Sequence, residues 1–159
     1  MPSMQFHPQA VFHEQAERVL SEEVPLLQLL LPWADIQHIG STAIPGTITK
    51  GDMDLVVRVP KEKFAKSRDR LNSIYDIHQP ENWSSTFVSF KDDRKALPLG
   101  IQLTILHGED DVFIRFRDQL RTDPQLLAEY NALKENCQNQ SAEFYLEKKG
   151  AFFESWMKR

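Results

Sequence analysis

Apolar and polar positions recur with two different periods along this chain. Over residues 9–31, Phe12, Ala16, Val19 and Leu20 return every three or four positions, with Glu14, Glu17 and Arg18 between them. That spacing predicts an amphipathic helix. Ser21 and Pro25 fall inside it. A proline is tolerated only near a first turn, so a split is expected there, with Ser21 capping the second segment. The period then drops to two. In residues 52–59, Met53, Leu55, Val57 and Val59 are apolar, while the even positions open with Asp52 and Asp54 and reach Arg58. This is a strand with one face in a core. Leu97, Leu99, Ile101, Leu103 and Ile105 repeat the alternation, with Gln102 and Thr104 among their partners. Residues 35–39 and 86–90 read as shorter strands, and Pro60 opens a helical stretch to about residue 73.

Helical spacing returns in the C-terminal third. Val112, Phe113, Phe116 and Leu120 form one stripe, and Asp123-Pro124 supplies a cap and a first-turn proline for the next helix. Leu126, Leu127, Tyr130, Leu133 and Cys137 line that helix. Ser141 opens a last one, carrying Tyr145, Phe152, Phe153 and Trp156. The predicted architecture is α+β: a mixed sheet with helices packed on one face and a helical C-terminal third.

Composition narrows the class without naming an activity. The 159 residues suit one domain spanning 1–159. The formal charge of −4 exerts no general pull on nucleic acid or anionic membrane, so neither is expected as a partner. The single cysteine, Cys137, rules out an intramolecular disulfide and a multi-cysteine zinc site, and it reads as a core residue. No apolar run approaches the ~20 residues of a spanning helix. The first residues lack the basic-then-apolar order of a signal peptide, and a soluble, cytoplasmic protein is expected.

The candidate chemistry lies between His38 and Leu55. Asp52 and Asp54 are two apart on the predicted strand, so both carboxylates point away from the core. At about 4 Å and an effective dielectric near 20 their repulsion is of order 4 kcal/mol, which a divalent cation relieves. Mg²⁺ takes oxygen ligands, commonly one or two carboxylates plus substrate phosphates. Upstream, Gly40-Ser41-Thr42 follows a strand, where backbone amides and hydroxyls can meet a phosphate. A bare Asp-x-Asp is also an ordinary wet strand face, and Gly-Ser-Thr an ordinary turn. Strand, Gly-Ser, loop and Asp-x-Asp in succession carry more than either alone.

This succession resembles the GrpB family, within the polymerase-beta-like nucleotidyltransferase superfamily. The shared elements are His38-Ile39-Gly40-Ser41-Thr42, Pro45-Gly46, Lys50 and Asp52-Met53-Asp54. Arg117-Asp118-Gln119-Leu120-Arg121, Pro124, Glu129-Tyr130 and Leu133-Lys134 follow, then Tyr145, Lys149 and Phe152. The resemblance runs from about Phe12 to Phe153. It implies a nucleotidyltransferase-type fold but no settled reaction.

On that resemblance, Asp52 and Asp54 are the expected catalytic and metal-holding pair, with Mg²⁺ or Mn²⁺. Gly40, Ser41, Thr42, Lys50, Arg117, Lys134 and Lys149 are expected at the nucleotide, with His38 and Gln102 as accessories. A nucleoside triphosphate is the expected donor, to an unnamed acceptor. Active superfamily members resemble one another in a third carboxylate from the neighbouring strand. Here Gly100, Gln102 and Thr104 hold the matching positions, and Gln102 brings neither charge nor basicity. The rival expectation is therefore a non-catalytic binding module docked on a partner enzyme, as in relatives fused to dephospho-coenzyme A kinase.

Outside that stretch, Arg115, Arg117, Arg121 and Lys134 suit either phosphate binding or a salt-bridged helix face. His38, two before Gly40, is expected on the strand face that meets a ligand, although a structural hydrogen bond suits it better. Trp33, Trp83 and Trp156 read as packing residues.

Overall fold

A computed structural model describes residues 3–159. Five strands form the main sheet: β2 (Asp35–Ile39), β4 (Met53–Val59), β5 (Asp76–Ile77), β6 (Phe87–Asp92) and β7 (Leu99–Ile105), in the order β2-β4-β7-β6-β5. β4 and β7 run parallel, and every other pair is antiparallel. β1 (His7–Pro8) and β3 (Ile48–Thr49) make a separate two-stranded ribbon. The helices are α1 (His13–Leu30), α2 (Phe64–Asn72), α3 (Phe113–Thr122), α4 (Pro124–Asn136) and α5 (Ala142–Met157). None is long and apolar enough to cross a membrane among the described residues.

The period-two pattern in β4 is realised as expected. Met53, Leu55, Val57 and Val59 are fully buried. Leu55 and Val57 pair with Ile101 and Leu103 of β7, which pair in turn with Phe90 and Val88 of β6. The apolar faces of α1 and α2 close over this surface through Val19, Leu27, Phe64 and Leu71. The opposite face carries Asp54 beside Gly100, and Arg58 beside Thr104. The helical C-terminal third gathers at that second face. Phe116, Leu120, Leu126, Tyr130 and Trp156 cluster there with Ile44. Cys137 and Tyr145 pack with Met4 and Phe6 in a smaller cluster. Both expected caps form: the Asp123 carboxylate accepts from the Gln125 and Leu126 amides, and Ser141 Oγ accepts from the Phe144 amide.

Three expectations change. α1 is one helix, not two, and Pro25 sits inside it. Pro25 and Ser21 are both exposed, on the side of the helix where water can replace the amide partner that a proline withholds from the Ser21 carbonyl. Asp52 lies outside β4, which begins at Met53, so strand geometry does not fix the two carboxylates side by side. His38 pairs with Leu55, whereas Ile39 pairs with Asp54, so His38 shares the core-facing side of the sheet. Counting by twos to Gly40 fails because β2 ends at Ile39 and Gly40 turns with φ +77°.

Candidate functional site

Asp54 stands second in β4, between the end of β2 and the start of β7. Two glycines make room for its carboxylate. A Cβ on Gly40 would lie 2.6 Å from Asp54 Oδ2, and a Cβ on Gly100 would lie 2.8 Å from Oδ1. Any side chain at either position would displace the acid. Gly40 is doubly constrained, because its positive φ also disfavours a Cβ. The sequence motif therefore has a steric meaning: the Gly of Gly-Ser is the wall against which the second aspartate rests.

Burial raises the Asp54 carboxyl above the ordinary carboxylate range, and Asp52 adds to the rise. Lys149, Lys50 and the Gln102 amide oppose it. Asp52 is half-buried and ion-paired with Lys50 at 2.9 Å. Gln102 lines the same cavity as Asp54, and its buried Oε1 has no partner. Among the described residues no group of three or more His, Cys, Asp or Glu gathers as a metal cage. The donor set does fit a loosely held Mg²⁺ or Mn²⁺. It offers one carboxylate in the cavity and a second within electrostatic reach, with room for further oxygens to complete the shell.

The turn Ser41–Ala43 is tied down from several sides. Thr42 is buried, and its Oγ1 donates to the Asp52 carbonyl at 3.0 Å. His38 Nε2 lies 2.9 Å from the same oxygen, so histidine, threonine and the acid-bearing loop form one chain of hydrogen bonds. His38 faces a different hollow, shared with His13 and Arg121. Burial, with Arg121 and Arg117 beside it, lowers its pKa to about 4 and keeps the ring neutral. Arg117 donates to the His38 carbonyl at 3.0 Å, and two nitrogens of Arg121 donate to the Ala43 carbonyl at 3.0 and 2.7 Å. The basic side of α3 thus clamps the backbone of β2 and the turn. Arg117 also lines the cavity. Arg115 instead lies over the Trp156 ring.

Lys134 is fully buried in α4. Its Nζ is hydrogen-bonded to Ser41 Oγ and to the Ile48 carbonyl (2.8 Å), and lies 4.2 Å from the centre of the Tyr130 ring. It stands behind the turn rather than in the cavity. Lys149 does line the cavity. Tyr130 first, then Tyr145, Asp54 and Asp52, hold its ammonium above the ordinary lysine range against the effect of burial.

The cavity itself measures about 330 Å³. Its polar wall is Gly40, Asp54, Gln102, Arg117 and Lys149, and its roof is Phe113, Phe116, Phe153 and Leu146. Gly40, Asp54, Gln102, Arg117 and Lys149 of the expected residues therefore meet. Ser41, Thr42, Lys50, Asp52, Lys134 and His38 surround or support them without lining the space. The aromatic roof was present in the sequence as helical stripes, which look the same whether they face a core or a cavity. Gly100 carried no local signal, because its role depends on its register with Asp54.

Comparison with known proteins adds the following. The family model described as GrpB protein matches residues 7–159. A UPF0157 protein of Vibrio cholerae is 29% identical over 152 residues, covering 96% of this chain and 81% of that protein. The glutamate-rich protein GrpB of Alkalihalophilus pseudofirmus is 30% identical over 132 residues, covering 77% of this chain and 76% of that protein. Among solved structures, the conserved protein GrpB from Enterococcus faecalis superposes with a TM-score of 0.62 at 20% identity, over 89% of this chain and 94% of that one. Cid1 in complex with a UTP analogue superposes with a TM-score of 0.53 at 14% identity, over 80% of this chain but only 40% of Cid1. Both likenesses carry the fold, which is of the nucleotidyltransferase type.

Proposed function

This chain belongs to the GrpB family, and on that premise we propose that it binds a nucleoside triphosphate together with a divalent cation and transfers a nucleotidyl group to an acceptor. The observation that carries the reading is the Asp54 carboxylate, seated between Gly40 and Gly100 in a cavity that Lys149 also lines. A carboxylate backed by two glycines, with a lysine lining the same cavity, suits a metal-bound phosphate chain.

Each group then has a part. Asp54, with Asp52, would hold the cation, and the Gln102 amide steadies the Asp54 carboxylate. When bound, that ion neutralises charge on the phosphates. Lys149 and Arg117 take phosphate oxygens, with Lys50 at the rim. The Gly40–Thr42 backbone borders them, kept in place by Lys134, His38 and Arg121. The aromatic roof excludes water and offers flat apolar surface to a base.

A second reading is favoured by one residue. Gln102 stands where a third acid is expected on β7, so the site would bind nucleotide without turnover and serve a partner enzyme. Calorimetric titration of ATP and GTP, with and without Mg²⁺, tests the binding both readings share. Asp52→Asn and Asp54→Asn should each lose the metal-dependent part, with far-UV circular dichroism unchanged. By linkage, metal and nucleotide must tighten each other by the same factor. Affinity indifferent to metal and to both substitutions sinks the site. Pyrophosphate release over a panel of acceptors then separates transferase from binding module.

A further inference from the structure

We propose that Gly150 is the aperture of this cavity: carrying no side chain, it leaves open the gap through which the flat, apolar end of an anionic ligand enters, while the anionic end reaches Lys149 and Arg117. The inference deepens the reading above and rests on it for calling that end a nucleobase.

α5 presents Leu146, Lys149, Gly150 and Phe153 to the cavity. Their spacing of three and four makes them one stripe of the helix, with one cation in it. α3 contributes Phe113, Phe116 and Arg117 to the same space. The inner side is sealed, because Ile44, Leu120 and Tyr130 are buried. The outer side is not. Leu146 is 51% exposed and Gly150 is exposed too, so the cavity meets solvent along α5 beside them.

The helix itself gives no reason for a glycine at this position. Gly150 lies in the interior of α5, where glycine is less stable than alanine. Its φ is not positive, so no left-handed backbone demands it. A Cβ there meets nothing within 4 Å, its chain neighbours and the helix's own backbone aside. Gly40 and Gly100 differ, because their bare backbones make room for Asp54. What position 150 keeps open is the space beside Leu146, since a helical side chain leans back over the turn before it.

The wall suits a flat group. The rings of Phe113 and Phe153 lie within 22° of parallel, with centres 6.5 Å apart, near the outer limit for a stacked pair. Phe113, Phe116, Leu146 and Phe153 carry no polar side-chain atom, so the apolar end is held by stacking and bulk, which tolerate the identity of a base.

The full chain is tested first without nucleotide, using anilinonaphthalenesulfonate, a flat apolar anion whose fluorescence rises on burial. Wild type should bind it. Gly150→Leu and Lys149→Gln should each weaken that binding at least about 10-fold, by covering the mouth and by removing the cation. Gly150→Ala should raise Tm by about 2–4 °C, and Gly150→Leu should not lower it. With Mg²⁺, calorimetry should find ATP, GTP, CTP and UTP bound to wild type within about 10-fold of one another, and each weakened at least about 10-fold in Gly150→Leu. Wild type that leaves the probe unbound overturns the ligand class. Probe bound equally by wild type and Gly150→Leu overturns the aperture. Nucleotide bound equally by both also overturns it, while leaving the proposed function standing. A preference of about 100-fold or more for one base overturns recognition by stacking. Probe binding lost in Gly150→Leu, with no nucleotide bound by wild type, keeps the aperture and overturns the triphosphate as the ligand.

Discussion

His38 shows how a motif residue can act through the fold rather than through a ligand. Its ring is neutral, with a pKa of about 4, while the unfolded chain's histidine titrates near 6.5. Above about pH 6.5 both states are neutral and the contribution to stability is fully present. Between pH 6.5 and 4 the unfolded chain takes up a proton that the folded one refuses, so stability falls by an amount of order 3 kcal/mol. Urea midpoints at pH 7.5 and pH 5 should show this slope in wild type and a flatter one in His38→Gln. At pH 7.5 the substitution itself should cost about 1 kcal/mol through the weakened bond to Thr42. An unchanged slope would move the acid sensitivity elsewhere. At this scale Asp54 and Gly40 were legible in the sequence, because the acid's alternation and the glycine's turn are both local. The face of His38 was not, because a positive φ at the next-but-one residue ended the strand. Nor was the burial of Lys134, since nothing local separates a lysine beneath a tyrosine ring from one in solvent.

Among the elements, long periodic segments were readable and two-residue ones were not. β4, β7 and the stripes of α3–α5 have enough turns or alternations to display a period. β5, β1 and β3 have two residues each, and they exist because a neighbouring strand offers hydrogen bonds. α1 defied the local rule in another way. Pro25 lies in its interior, yet Ala16, Val19, Glu23 and Leu27 are all buried around it, so tertiary packing holds the helix together across the lost bond. Pro25→Ala should therefore stabilise the protein. The helix-interior penalty of about 3 kcal/mol is offset by the greater freedom of the unfolded alanine chain, which leaves a gain of roughly 1–2 kcal/mol. For a chain of this size each kcal/mol is about 2–4 °C in Tm, readable by scanning calorimetry. A lower Tm would mean that the proline ring makes a contact the helix needs.

The molecule as a whole has a main core and a separate C-terminal one. The first joins α1, α2 and the sheet, with no residue from α3, α4 or α5. The second is built from those helices and Ile44, and the cavity lies between it and Asp54. Much of what fastens the two is polar: Arg117 to the His38 carbonyl, Arg121 to the Ala43 carbonyl, and Lys134 to the Ile48 carbonyl. Native-state hydrogen exchange should therefore find α3–α5 opening at lower free energy than β4 and β7. A single shared opening energy would show that the polar ties couple the halves fully. This division was hidden from the sequence, because apolar stripes do not declare which partner they meet.

The division also sets a clock on the ribosome. The walls around Asp54 come from residues up to Gln102, but the lysine that shares its cavity is Lys149, 95 residues after the aspartate. At about 5–20 residues per second that interval is roughly 5–20 s. For that time a nascent chain has its acid without that cation or the last part of its roof. Translation order by itself delays any chemistry until α5 has been made and has docked.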